Sequence, residues 1–148
     1  MAVLDHIPVS IDFQSVCRKV NIPEESEFAS ELGLLLDAVQ SKAQPKAVYA
    51  VSFIESRNDS TVIINGVKFE SKVLRKNLEK VERVFPFVVT CGSELDELVC
   101  GKDDFLKQYW METIKEMVLE QAIEFLKNHL QQKYKLAKLY SLSPGSGA

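Results

Sequence analysis

The hydrophobic pattern of this chain changes period several times, and each change marks an element. Ile7-Pro8-Val9-Ser10-Ile11 predicts a short strand, with Pro8 suited to an edge or a strand start. Asp12 then stands where an N-cap belongs, ahead of a short helix running to about Lys19. A second helix is predicted from Pro23, which suits a first helical turn. Glu24, Glu25 and Glu27 there complement the positive end of the helix dipole. Phe28, Leu32, Leu35, Leu36 and Val39 recur at helical spacing as one apolar face; Lys42 lies in the last turn and Pro45 ends the run.

Residues 47–54, Ala-Val-Tyr-Ala-Val-Ser-Phe-Ile, are apolar on both alternating faces, as in a central strand covered on two sides. Periodicity alone does not separate this from a short buried helix. After a polar loop at 57–60, Thr61 to Ile64, Asn65-Gly66 and Val67 to Phe69 predict a hairpin, since Asn-Gly tolerates the positive φ of a type I′ turn. Ser71 can cap a helix that turns Leu74, Leu78 and Val81 inward. Val84 to Cys91 is the next strand and carries Pro86; Gly92 leads into Ser93-Glu94-Leu95-Asp96, a cap and acidic first turn of a short helix stopping near Gly101. The longest helix runs from Asp103 or Asp104 to about Tyr134, with Leu106, Trp110, Ile114, Met117, Val118, Phe125 and Leu126 inward. Leu136 to Leu142 is read as a last strand. The class is therefore α+β: a mixed, mainly antiparallel sheet, flanking helices and one long C-terminal helix. A single domain is expected over residues 1–140, with 141–148 a Pro/Gly/Ser loop or tail.

Composition narrows the function classes. The 148 residues are enough for one core without staples. A net charge of −3, from 18 basic and 21 acidic residues, gives no nucleic-acid footprint. No apolar stretch approaches a membrane span, and the N-terminus lacks a basic region followed by an apolar one. Three cysteines, Cys17, Cys91 and Cys100, form no paired motif, which predicts a reducing, cytoplasmic setting. His6 and His129 lie far apart and neither CxxC nor HExxH occurs, so no protein-built metal site is expected. No nucleophile–base pair can be read, and no catalytic residue is assigned.

Four local signatures occur in a telling order. Ile11-Asp12-Phe13 lies at the first helix, and Asn65-Gly66 precedes Phe69-Glu70-Ser71 into another. Thr90-Cys91-Gly92 leads from strand to helix, and Ser143-Pro144-Gly145 lies near the end. Together, over about residues 7–147, they resemble the activation-domain family of cobalamin-dependent methionine synthase, and more closely its small stand-alone relatives. The resemblance implies a C-shaped α+β fold that binds S-adenosylmethionine in an extended groove without a glycine-rich nucleotide motif. It implies presentation of the methyl group to a cobalamin carried by a partner, a corrinoid protein or cobalamin-dependent methyltransferase, whose inactive cob(II)alamin is reductively remethylated with an electron from a flavodoxin-like donor. Methionine biosynthesis is the implied setting, with no nucleic acid and no membrane among the partners. Asp12 matches the groove aspartate that meets the ligand ammonium, and Ser143, Pro144, Gly145 and Ser146 match the turn whose backbone approaches the ligand.

The final loop departs from the family. Where relatives read approximately Arg-x-Ser/Ala-Pro-Gly-Tyr, this chain has Ser141-Leu142-Ser143-Pro144-Gly145-Ser146. Serine lacks the planar fork with which arginine grips a carboxylate. Relatives also continue where this chain stops at Ala148, so either the chain is shortened or the groove is incomplete. A second expectation follows: a non-catalytic binding or assembly module that docks on a corrinoid protein or methyltransferase without binding S-adenosylmethionine.

Other candidates each have a plainer role. For Asp12 the helix cap is the commoner role, and both roles coexist only if one carboxylate oxygen is free. Cys91 at a strand-to-helix junction is either an activated thiol or a small buried residue. A helix start capped by Ser93 can hold an anion, but no basic residue converges on it in sequence. Trp110 and Tyr109 can stack on a ligand, although Trp110 fits a core stripe. His129 lacks the Asp-x-His-x-x-Gly context of a cobalt ligand and reads as a solvated helix residue. Pro144-Gly145-Ser146-Gly147 is also an ordinary flexible-tail composition.

Overall fold

A computed structural model of the chain describes residues 1–79, 81–92, 95, 98 and 104–141. The fold is α+β, with antiparallel strands and a long C-terminal helix. Its internal contacts divide the chain into two compact units. One comprises Val3–Ala47 and Val89–Leu130; the other comprises Met1–Ala2, Val48–Val88 and the chain from Gln131.

The first unit is built on helices α1 (Phe13–Val20), α2 (Ala29–Lys42) and most of α4 (Phe105–Tyr134). In α1, Phe13, Val16, Cys17 and Val20 are spaced as one helical face. Val16 and Cys17 are buried with Ile11, Leu32, Leu36, Val39, Leu95, Trp110, Ile114 and Val118, while Phe13 and Val20 pack at the margin. Helix α2 starts later than the sequence predicts. Residues 23–28 form turns in which Ser26 N–H donates to the Pro23 carbonyl and Phe28 N–H to Ser26 Oγ, and Phe28 is left exposed. Short-range bonds of this kind let the serine side chain compete with the helical ladder.

The predicted strand at residues 7–11 does not form. Ile7 and Ile11 are buried, yet the backbone is satisfied by side chains: Ile11 N–H donates to Gln40 Oε1 at 2.8 Å and Ser10 N–H to Gln121 Oε1 at 3.0 Å, while Gln121 Nε2 donates back to the Ser10 carbonyl. With those groups occupied, no neighbouring strand is required. The strand near the N-terminus is instead β1 (Ala2–Leu4).

Asp104 caps α4 through Lys107 N–H. Trp110, Ile114, Val118 and Leu126 are buried as predicted, and Met117 packs at the margin of the core. Leu106 and Phe125 are exposed instead, whereas Met111, Ala122 and Leu130 are buried. The buried positions step by four residues from Trp110 to Leu130. On a helix of 3.6 residues per turn that stripe winds around the axis, so a fixed inward face misassigns its ends. Among the described residues no helix is long and apolar enough to cross a membrane.

The second unit holds a four-stranded sheet in the order β5-β4-β3-β6, made of β3 (Ser52–Arg57), β4 (Thr61–Ile64), β5 (Val67–Glu70) and β6 (Arg83–Val84), every neighbour antiparallel. Leu74 of helix α3 (Lys72–Asn77) and Leu78 at its C-cap pack with Ile54, Val62 and Ile64, with Val81 alongside. The Asn-Gly hairpin forms as predicted: Asn65 has φ 50° and Gly66 φ 78°. A register shift lies between Ile54 and Ser56, and Glu55 Oε1 there accepts Gly66 N–H at 3.1 Å. Ser71 caps α3 through Leu74 N–H at 3.2 Å. Arg57 closes the other end, donating to the carbonyls of Leu78 (3.1 Å) and Val81 and pairing with Glu82 at 3.6 Å.

Two predicted strands are each divided. Residues 47–54 become β2 (Lys46–Tyr49) and β3, and Ala50 N–H between them donates to the Pro86 carbonyl. Phe53 is 61% exposed, so this run is not covered on both faces. Val84–Cys91 becomes β6 and β7 (Phe87–Thr90), interrupted at Pro86, which has no N–H for a ladder; Val88 is exposed. A three-stranded sheet runs in the order β1-β2-β7. The predicted last strand is absent from residues 136–141: Lys135 takes φ 54° and Leu136 N–H bonds the Gln131 carbonyl, a helix C-terminal closure. The short helix predicted after Gly92 falls mostly outside the described residues.

Gly66→Ala is expected to destabilise the protein by about 1 kcal/mol, because a side chain resists φ 78° although space for it exists. Arg57→Met removes donors from the carbonyls of Leu78, which caps α3, and of Val81 beyond it, and is expected to cost about 1–3 kcal/mol. Urea unfolding of both variants measures these changes.

Candidate functional site

Helix α1 is amphipathic, so burial of Val16 and Cys17 turns its opposite side to solvent. That side carries a chain of three polar groups at intervals of three residues. Asp12 Oδ2 accepts from Ser15 N–H at 3.2 Å and from Ser15 Oγ at 3.1 Å, and Arg18 Nη2 donates to Ser15 Oγ at 3.2 Å. Asp12 and Arg18 are exposed, and neither makes an ion pair with any described residue. Asp12 Oδ1 takes no hydrogen bond from the described residues, so cap and ligand contact are compatible at this carboxylate.

The helix ends at Asn21, whose left-handed φ of 58° lets its N–H reach the Arg18 and Cys17 carbonyls. Around this turn lies an open depression of about 450 Å³ bordered by Gln14, Cys17, Arg18, Asn21, Ile22, Pro23 and Glu24. Arg18 thus belongs both to the polar chain and to the depression. A guanidinium, with carboxylates at Asp12 and Glu24, supplies opposite charges for the two ends of an amino-acid zwitterion. Burial pushes the Cys17 thiol pKa up, and the negative charges of Glu24 and Asp12 act in the same direction. The thiol is therefore a protonated wall of the depression, unsuited to nucleophilic work.

The hydrophobic pattern gives Ser15 and Arg18 no functional role, and it marks Glu24 only as part of an acidic first helical turn. The signal available was the i, i+3, i+6 spacing of Asp12, Ser15 and Arg18, which shares one helix surface. The predicted ligand turn, Ser143, Pro144, Gly145 and Ser146, lies outside the described residues, as does Ser93. Ser141 is exposed. Cys91 is half-buried against the core of the first unit, and Trp110 is 1% exposed within it, so packing accounts for both positions. Tyr109 is exposed, and His129 is half-buried on α4. Among the described residues, no group of three His, Cys, Asp or Glu side chains is placed to hold a metal ion.

No family model, no curated protein and no solved structure matches the chain.

Asp12→Ala is expected to lower stability by about 1 kcal/mol through loss of the cap, and Asp12→Asn, which keeps an acceptor oxygen, by much less. Because the native Cys17 pKa is raised, its contribution to stability is complete below the ordinary thiol value of 9.0 and is lost as pH rises above it. Denaturant midpoints across pH 7–10.5 should fall less steeply for Cys17→Ala than for the parent.

Proposed function

We propose that this chain is an accessory module for corrinoid-dependent methyl transfer that binds S-adenosylmethionine through its amino-acid end at α1. The observation that carries the reading is the Asp12–Ser15–Arg18 chain, where one oxygen of Asp12 is committed to the helix cap and the other is free of described partners. The free carboxylate oxygen suits the ligand ammonium, and the position is the one the family resemblance assigns to that contact. Arg18 offers the ligand carboxylate the guanidinium that the terminal loop lacks at Ser141. The module's contribution is to position a methyl donor against a cobalamin carried by a partner.

A second reading is favoured by Ser141 and Ser146, which replace the arginine and tyrosine of the family loop. On that reading the chain docks on a corrinoid protein or methyltransferase without holding the donor.

Thermal melting with S-adenosylmethionine or S-adenosylhomocysteine separates the two, since a ligand bound only by the native state raises the apparent Tm. The first reading expects a concentration-dependent rise. Asp12→Asn is expected to weaken that response about tenfold, the loss of one charge-assisted bond, while leaving the unliganded Tm nearly unchanged. No rise at millimolar ligand, with retention on an immobilised corrinoid protein, identifies the second reading. No rise and no retention in any cobalt state removes both.

A further inference from the structure

The β3–β6 unit carries a cluster of cations and aromatic rings that the preceding reading does not use. Arg83 lies over Phe85, 5.4 Å from the ring centroid, and over Tyr134 at 5.5 Å; the two rings meet at 5.1 Å. Lys133 lies 5.7 Å from the Tyr134 centroid and 6.0 Å from that of Tyr49, and its Nζ stands 3.4 Å from the Tyr49 hydroxyl. Two like charges therefore rest on one tyrosine ring, where the negative faces of the rings offset part of their repulsion.

Neither cation is neutralised by a carboxylate among the described residues. This sets them apart from Arg57, Lys68 and Lys107, which pair with Glu82, Glu70 and Asp104. Residues 131–141 include Lys133, Lys135 and Lys138 and contain no acidic residue, so the overall charge of −3 conceals a local positive excess. Arg83 and Lys133 are both exposed. Lys133 Nζ donates to the Tyr49 hydroxyl, and the Arg83 guanidinium makes no hydrogen bond with the described residues. A planar fork and an ammonium together match the terminal oxygens of a phosphate better than a single carboxylate.

One more residue defines what is attached to that phosphate. Phe53 stands directly across the β3–β6 pair from Arg83, so both side chains share a sheet face, and Phe53 is 61% exposed. An exposed ring beside an anion-binding guanidinium suits a planar base joined to a phosphate. Two cations without a carboxylate partner among the described residues, on a net acidic chain, fit a small ligand better than a long polyanion. We propose that Arg83 and Lys133 bind the phosphate of a free mononucleotide and that Phe53 stacks on its base.

Calorimetric titration of the full chain at low salt, with AMP, inorganic phosphate and a single-stranded oligoadenylate, tests this. AMP should bind saturably and about tenfold or more tightly than phosphate. Arg83→Gln/Lys133→Gln should weaken AMP at least about tenfold, and Phe53→Ser should erase the advantage of AMP over phosphate. Circular dichroism and urea midpoints confirm that the exposed substitutions leave the fold intact; if one does not, chemical-shift changes at Arg83 and Lys133 in the parent chain give the same answer. The proposal is overturned by absence of AMP binding, by equal binding of AMP and phosphate, by AMP binding that ignores the Arg83/Lys133 change, or by an oligonucleotide that binds far more tightly per nucleotide than AMP.

Discussion

Burial of Val16 and Cys17 among Leu32, Leu36, Trp110 and Ile114 is the contact on which the candidate ligand surface depends. Helix α1 has eight residues, fewer than an isolated helix needs to persist in water. Its apolar face and its two closed ends hold it in place. Asp12 satisfies an N-terminal donor, and Asn21 and Ile22 satisfy carbonyls at the other end. Once that face is fixed inward, Asp12, Ser15 and Arg18 can only face out. The polar chain along the helix is thus a geometric consequence of the core beneath it.

The same logic operates in the sheet unit through backbone satisfaction. Leu74 of α3 and Leu78 at its C-cap pack with Ile54, Val62 and Ile64, but burying a short helix leaves carbonyls at its end in need of donors. Arg57 reaches from the end of β3 to the carbonyl of the cap residue Leu78 and to that of Val81 beyond the helix. Glu55 does the corresponding work at the hairpin by accepting from Gly66 at the register shift. One charged side chain of β3 therefore holds the end of the helix and another the turn. Its Phe53 remains on the exposed face with Arg83.

Burial raises the Cys17 thiol pKa, Cys91 and Trp110 pack against or within the core, and the polar groups of α1 are linked to one another through Ser15. One surface sets a carboxylate and a guanidinium on a shared serine, and the other sets cations on aromatic rings.

Local codes were readable from the residues alone. Asp12 and Ser71 announce caps because their side-chain oxygens accept from backbone donors three residues on, and Asn65-Gly66 announces its turn because both residues take positive φ. The α+β class and the long helix follow from periodicity over many residues. The choice between strand and coil at residues 7–11 depended on Gln40 and Gln121, distant in sequence, and no local pattern signals that a side chain will take a backbone donor. Pro86 was visible, but whether it ends a strand or sits at an edge depends on its neighbour, here Ala50. Which side of β3 is covered was decided by where α3 packs, leaving Phe53 out and Ile54 in. Capping and turns are settled by a few consecutive residues, so the sequence determines them; burial and charge pairing need surfaces from separate segments, and only the tertiary structure decides those.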